Sequence, residues 1–409
     1  MNHDLARIDG ADVFVQRTLA ARLHRRERHI EFAYSAGYVQ ERGQPVATTL
    51  PISTEPTVTP GRAVPPYFAG LLPEGRRLTA LRTSLKTSAD DDFTMLLAVG
   101  ADPIGDVQVV PSGEPCPPFG DPVDSGHPNL HDVSFRDLFA AATGVSPDSH
   151  GVAGVQDKVS GRMISVPISL SSGSAHILKF DPPEFPQLIR NEAFFLTMAA
   201  NCRLRTPRWK VVTDREGRDG LLVERFDRGR AVDGSVLAFA CEDGCQLSNR
   251  YPADKYTLDT EALVSTTSAL CAARAVATLT MLRQVAFAII TGNGDLHAKN
   301  LSVLRTNGEW QVSPSYDLPS SAPYGDRTLA IAINGSRDGQ VSRVRFAALA
   351  RAAGLNERAA IGMLDELLAN AEPWIERLDE LPFDQRRIRD LRRLMIRRCK
   401  LLSASPSSK

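Results

Sequence analysis

Two short β-prone runs flank Asn307-Gly308, and that arrangement constrains the chain more than any other stretch of it. Leu301 to Arg305 forms the first run and Trp310 to Ser313 the second. Asn-Gly between such runs supplies the two left-handed residues of a tight hairpin turn, whose twist matches that of the flanking strands. With Asn307-Gly308 as the loop, Thr306 faces Glu309, and counting outward Asn300 faces Ser315. Asp317 then lies just past the open end of the hairpin, in the neighbourhood of Asn300 and Asp295.

The residues gathered there suit phosphoryl transfer. Ala275 to Thr291 is apolar almost all round, which predicts a buried helix, and Gly292 can end it. The loop it delivers reads Gly292-Asn293-Gly294-Asp295-Leu296-His297-Ala298-Lys299-Asn300, followed by Tyr316-Asp317. One carboxylate can orient an attacking hydroxyl, while an amide oxygen and a second carboxylate hold magnesium. Two carboxylates about 5 Å apart repel by ~3 kcal/mol at an effective dielectric near 20. A divalent cation removes that cost, and oxygen-only ligands suit magnesium. The alternative is a solvated hairpin whose Asp and Asn are turn residues.

A cation for nucleotide phosphates has a candidate upstream. Lys179 sits in the strand-like run Ala175 to Phe180, on the face of Ile177 and opposite Leu178 and Phe180. A lysine on one face of an apolar strand needs a partner or a ligand. Glu192, at the start of the next helix-like stretch (Asn191 to Ala200), can pair with it. Glu224-Arg225-Phe226 closes a further strand-like run and marks a lobe-to-lobe hinge that offers backbone groups to an adenine edge. Gly151 to Lys158 is a glycine-containing loop whose amides can cradle phosphate, although it has neither Walker spacing nor Gly-x-Gly-x-x-Gly.

The rest of the chain frames this site. Val13 to Val15 and Ile30 to Tyr34 read as strands, and Arg76 to Lys86 and Asp91 to Val99 as helices, giving a small α+β unit over residues 1–110. Residues 111–128 are rich in Pro and Gly and read as a linker. Residues 129–235 form a strand-rich lobe and 236–409 a largely helical one, an α+β bilobal layout. Lys plus Arg and Asp plus Glu number 48 each, which argues against a chain built mainly to bind nucleic acid or an anionic membrane. The last helical stretch, Gln385 to Lys400, is nevertheless strongly basic. Cysteines 116, 202, 241, 245, 271 and 399 show no Cys-x-x-Cys spacing, so neither a zinc site nor a disulfide framework is expected. No signal-peptide core or membrane-spanning run is read, so a cytoplasmic location is expected.

Taken together, these segments resemble the HipA-like serine/threonine kinases, the toxin halves of HipBA toxin–antitoxin modules. The resemblance rests on Phe68-Ala69-Gly70-Leu71-Leu72-Pro73-Glu74, Gly154-Val155-Gln156-Asp157-Lys158, His176-Ile177-Leu178-Lys179, Val223-Glu224-Arg225-Phe226-Asp227-Arg228 and Glu242-Asp243-Gly244-Cys245-Gln246. Asp295 to Asn300 and Tyr316-Asp317 complete it. It implies a protein-kinase-like bilobal fold that uses ATP and Mg2+, with Asp295 as catalytic base and Asn300 and Asp317 as magnesium ligands. Nucleotide contacts are implied for Val155, Gln156, Asp157, Lys158, Lys179, Glu224, Arg225, Phe226, Gln246, His297, Lys299 and Tyr316. The implied partners are a HipB-like helix-turn-helix antitoxin, DNA mainly through that antitoxin, and a protein substrate such as glutamyl-tRNA synthetase. One departure stands out: Ala153 occupies the position where the family's loop often carries an autophosphorylated serine, so self-silencing by that route is not expected.

Two other readings share parts of the pattern. Asp-Leu-His-x-x-Asn also resembles aminoglycoside and choline kinases, but Tyr-Asp-Leu-Pro, Glu-Asp-x-Cys-Gln and Leu-Leu-Pro-Glu speak against a small-molecule phosphotransferase. A catalytically silent co-repressor is opposed by the intact Asp295, Asn300, Asp317 and Lys179.

Overall fold

The computed structural model describes residues 5–88, 90–119, 130–143, 163–169 and 174–404. The predicted hairpin forms in the predicted register: Ser302–Thr306 pairs with Glu309–Val312, with Thr306 opposite Glu309 and Val303 opposite Val312. Asn307 and Gly308 both take positive φ, 53° and 82°, as the primed turn requires. A strand not read from the sequence, Cys241–Asp243, adds to Ser302–Thr306 and extends the hairpin to a three-stranded sheet. Three residues are too few to show a period in the sequence. This strand places Glu242 and Asp243 beside the catalytic-loop segment.

A second sheet is antiparallel throughout, in the order Ile164–Ser169, Ala175–Phe180, Asp219–Glu224, Trp209–Thr213. Its two faces do different work. Leu178 and Phe180 pack with Phe135 and Phe139 of the helix Phe135–Thr143. The opposite face, with Leu221 and Val223, meets the helix Leu188–Asn201. That helix begins four residues before Glu192, so Glu192 sits in its second turn and faces the sheet rather than opening the helix.

The helical half is organised around Arg274–Thr291, which packs against Thr260–Leu270, Glu357–Glu376 and Gln385–Ser403. Arg274–Thr291 is 18 residues long with a mean hydropathy of 1.2, enough by length and composition to cross a bilayer. Most of that surface is buried within the protein, as expected of a central core helix. Its C-cap, Gly292, adopts φ 73°, and a Cβ there would lie 3.1 Å from the Ala322 Cβ and 3.2 Å from Leu394. Replacing Gly292 by alanine is expected to destabilise the protein by about 1–2 kcal/mol, the cost of a left-handed L-residue. A lower urea midpoint at unchanged m-value checks this.

The N-terminal unit is built on an antiparallel sheet in the order Thr57–Pro60, His29–Tyr34, Thr18–Arg25, Gly10–Val15, Val107–Pro111. The strand Thr18–Arg25 escaped sequence reading because Arg22, His24 and Arg25 break its apolar pattern, and Arg22 is tied to Asp12 across the sheet. The strand Val107–Pro111 runs into the segment read as a linker and pairs with Gly10–Val15. Tyr67, Phe68, Phe93 and Leu96 form the core of this unit with the sheet's inner face.

The unit is fastened to the remainder of the chain by buried polar contacts. Thr48 donates to Glu242 through both its N–H and its hydroxyl, at 2.9 and 2.7 Å. Burial pushes the Glu242 carboxyl up to about 7, in spite of those two bonds. A second clasp joins Asp227, Arg225 and Arg228 to the segment Asp102–Gly105.

Candidate active site

A cavity of about 310 Å³ lies where the four-stranded sheet, the catalytic-loop segment and the N-terminal unit meet. Lys179, Glu224, Arg225, Phe226, Gln246, Lys299, Asn300, Tyr316 and Asp317 all border it. The sequence-predicted residues are thus largely brought together. Val155, Gln156, Asp157 and Lys158 lie outside the described residues. Asp295 and His297 are buried, at 2% and 3% exposure, and are not among the residues that border the cavity.

Lys179 is the electrostatic centre of the cleft. Its ammonium donates to Glu192 Oε1 at 2.8 Å and also contacts the Asp317 carboxylate. Burial alone would lower this ammonium, but Asp317 and Glu192 outweigh it and hold the group raised and charged. Burial pushes the Glu192 carboxyl up, and Lys179 opposes that push. The strand and helix therefore pair as the alternation in Ala175–Phe180 predicted.

Asp317 adopts a left-handed conformation, φ 52°. Non-glycine residues held there cost free energy and gather at functional sites. Asn293 helps to hold this geometry: its Nδ2 donates to Asp317 O at 3.2 Å, while its Oδ1 accepts the Asp295 N–H at 2.9 Å. Asn300 Nδ2 closes the loop on Asp295 O at 3.1 Å. Asn293 thus links the two acidic segments, a role its Asx-type spacing two residues before Asp295 could have signalled.

Tyr256 is a second contributor that sequence reading missed. Its hydroxyl donates to Asp295 Oδ1 at 3.0 Å, and its ring lies edge-on to His297, 5.2 Å between centroids. Burial, with Lys255 and Lys299 nearby, pushes the His297 imidazole well below its usual range, so it stands neutral. No local spacing links Tyr256 to Asp295, because they are 39 residues apart.

Several predicted nucleotide contacts have side chains engaged elsewhere. Gln246 forms a capping box with Asp243 and donates to Tyr67 O at 3.0 Å. Lys299 bridges Asp243 Oδ2 and Gly70 O, at 2.9 and 3.0 Å. Tyr316 donates to Lys299 O at 2.6 Å and lies 5.5 Å from the Phe226 ring. The Arg225 guanidinium is buried on Asp227 and Asp102, so only its backbone is available to a ligand. The segment Gly70 to Glu74 of the N-terminal unit also borders the cleft, and Lys255 holds Glu74 at 3.1 Å.

A basic residue on an inner strand paired with a helix glutamate, and a carboxylate–amide pair across the cleft, define a kinase-class phosphotransferase. The chain belongs to the HipA family: residues 150–375 match the HipA-like C-terminal domain and residues 11–110 the HipA N-terminal domain. It is a HipA-type serine/threonine kinase. Among its relatives, the proposed kinase Y4mE of Sinorhizobium fredii is 30% identical over 73% of this chain and 74% of its own length. The serine/threonine-protein kinase toxin HipA of Shewanella oneidensis is 28% identical over 73% of this chain and 72% of its own. The solved Shewanella oneidensis complex of HipA, HipB and operator DNA contains a chain of the same fold. It shows a TM-score of 0.77 and 20% identity, covering 95% of this chain and 96% of that one.

Proposed function

We propose that this chain is an ATP- and magnesium-dependent protein kinase that acts as the toxin of a toxin–antitoxin pair in the cytoplasm. The observation that carries the reading is the convergence of Lys179, Asn300 and Asp317 on one cleft, with Asp295 held to Asn300 through its carbonyl. In this reading Lys179 binds nucleotide phosphate, and the backbones of Glu224 and Phe226 meet the adenine. Asn300 and Asp317 fit a magnesium ion, because they offer hard oxygen donors and leave positions for phosphate and water. When bound, the ion neutralises charge on the transferring phosphoryl group. Asp295 orients the substrate hydroxyl and accepts its proton as the hydroxyl oxygen bonds to the γ-phosphorus of ATP, the bond from that phosphorus to the β-phosphate oxygen breaks, and ADP leaves.

Tyr256 acts through Asp295 by fixing its carboxylate. Tyr256→Phe is expected to lower kcat about tenfold, the worth of a hydrogen bond to a charged group, with nucleotide affinity unchanged. Single-turnover kinetics beside nucleotide titrations check this split.

The proposed substrate is a serine on an aminoacyl-tRNA synthetase, with the glutamyl enzyme first in line. Its modification would stall charging and arrest growth. A small helix-turn-helix antitoxin is the proposed partner that neutralises the kinase and carries it to operator DNA. The Shewanella oneidensis complex supports this reading, since that relative's solved assembly contains HipA, HipB and operator DNA. The division into residues 1–110, 111–128, 129–235 and 236–409 remains our working description of the chain.

The test is phosphoproteomics of a host lysate incubated with Mg-ATP and either the wild-type protein or Asp295→Asn. A phosphoserine on a synthetase that appears only with wild type is the expected result. ATP consumption without protein phosphorylation would turn the assignment towards a small-molecule acceptor.

A further inference from the structure

Among the described residues, four that carry a cationic side chain border the cleft: Arg77, Lys179, Arg225 and Lys299. Three of them are neutralised within the protein. Lys179 lies on Glu192 and Asp317, Lys299 on Asp243, and Arg225 on Asp227 and Asp102. Arg77 forms no hydrogen bond and no ion pair with any described residue. It projects from the first turn of the helix Gly75–Leu85, which carries no acidic residue in that turn. The positive end of a helix dipole disfavours a cation there. Its neighbour Arg76 is compensated by Glu184, at 2.7 Å. Burial, together with repulsion from Arg225, pushes the Arg77 guanidinium down to about 10, and Asp102 opposes this only in part. Asp102 is already shared between Arg225 and Arg228, at 2.9 and 2.7 Å. Arg77 is therefore a partly buried cation at a helix N-terminus, beside a like charge, facing a ligand-sized cavity. Each of these features costs free energy, and an anion in the cavity would reverse all of them.

We propose that Arg77, on the N-terminal unit, binds a phosphate group of the nucleotide in the cleft. This assignment rests on the kinase reading above. It makes the N-terminal unit part of the nucleotide site as well as a cover for it. The helix Gly75–Leu85 also packs against the strand Ile164–Ser169, whose Ser165 and Pro167 border the same cavity, so both elements close on one ligand. An arginine fork suits phosphate oxygens, and the five donors of Arg77 are uncommitted to any described residue.

Binding of Mg-ATP and of adenosine to full-length wild type, Arg77→Met and Arg77→Lys tests the proposal. Loss of a charge-assisted contact is expected to weaken Mg-ATP binding to Arg77→Met about ten- to a hundredfold, with Arg77→Lys in between. Adenosine, which has no phosphate, is expected to bind all three proteins equally. Methionine keeps the aliphatic stem and removes an uncompensated charge, so the thermal midpoint without ligand should not fall. Unchanged Mg-ATP affinity in Arg77→Met overturns the proposal and leaves the kinase reading intact. An equal loss for ATP and adenosine also overturns it, because it marks a role in cavity shape. A wild-type protein that binds neither ligand overturns the kinase reading itself and this proposal with it.

Discussion

Asp295→Asn is expected to lower phosphoryl transfer by about 10²- to 10⁴-fold, the usual contribution of a positioned general base. Mg-ATP affinity should change little, because the nucleotide and magnesium contacts are assigned to Lys179, Glu224, Phe226, Asn300 and Asp317, and Asp295 is not among the residues that border the cavity. Asparagine preserves the side chain's shape and keeps an oxygen that can accept from the Tyr256 hydroxyl. It also leaves untouched the backbone bonds to Asn293 and Asn300. The loop therefore retains its fold while losing the group that takes the proton. Asp317→Asn makes the useful contrast. It weakens the acidic half of the proposed magnesium pair, so nucleotide binding should become insensitive to magnesium. Parallel titrations of the two variants with and without magnesium check the division of roles. Full activity in Asp295→Asn would remove the catalytic assignment.

Asp227→Asn is expected to be the most destabilising single change at the junction between the N-terminal unit and the catalytic part. Asp227 is 1% exposed and accepts from Arg225 at 2.9 Å and from Arg228 at 2.7 Å. It also accepts the Gly105 N–H at 2.8 Å, across the junction. Removing its charge leaves two buried guanidiniums sharing Asp102. Breaking a buried ion pair from one side typically costs about 3–5 kcal/mol.

The same residue predicts a pH signature. Burial would raise the Asp227 carboxyl, but Arg225 and Arg228 overcome that and hold it down to about 2, below its ordinary value of 3.8. A depressed carboxyl contributes stability that is fully present above its unfolded pKa and is lost as pH falls through its folded pKa. The stability gap between wild type and Asp227→Asn should be flat above about pH 5 and narrow between about pH 4 and 2. The part lost on protonation is about 2.5 kcal/mol for a shift near two units. It is smaller than the cost of substitution, which also misaligns the hydrogen bonds. Urea midpoints of both proteins across that pH range check both claims.

Much of the catalytic geometry could be read in advance because its determinants are local. A two-residue turn sets hairpin register, so Asn307-Gly308 alone fixed the pairing from Thr306 opposite Glu309 to Val303 opposite Val312; beyond that ladder Asp317 returns to the cavity that Asn300 also borders. Strand alternation placed Lys179 on the face opposite Leu178 and Phe180, and the pairing with Glu192 followed. Gly292 punctuated an apolar helix at the position where it adopts positive φ. Elements whose pattern was short or broken were lost, among them Cys241–Asp243 and Thr18–Arg25.

What the tertiary structure alone decided is which distant groups complete the site. Tyr256 reaches Asp295, Thr48 reaches Glu242, and Gly70 and Glu74 reach Lys299 and Lys255. These contacts join segments tens to hundreds of residues apart, and no periodicity in the sequence encodes their meeting. Residues 1–110, read as a unit joined to the main domain by a Pro- and Gly-rich segment, supply Gly70 to Glu74 to the border of the cleft. Buried polar groups need partners, and Lys299 of the catalytic segment finds one of its two on the N-terminal unit, at Gly70 O. By itself the sequence determined the chemistry, through residue types and turn-fixed spacing. Only the packing of the whole chain determined that the N-terminal unit forms one wall of the cleft in which that chemistry takes place.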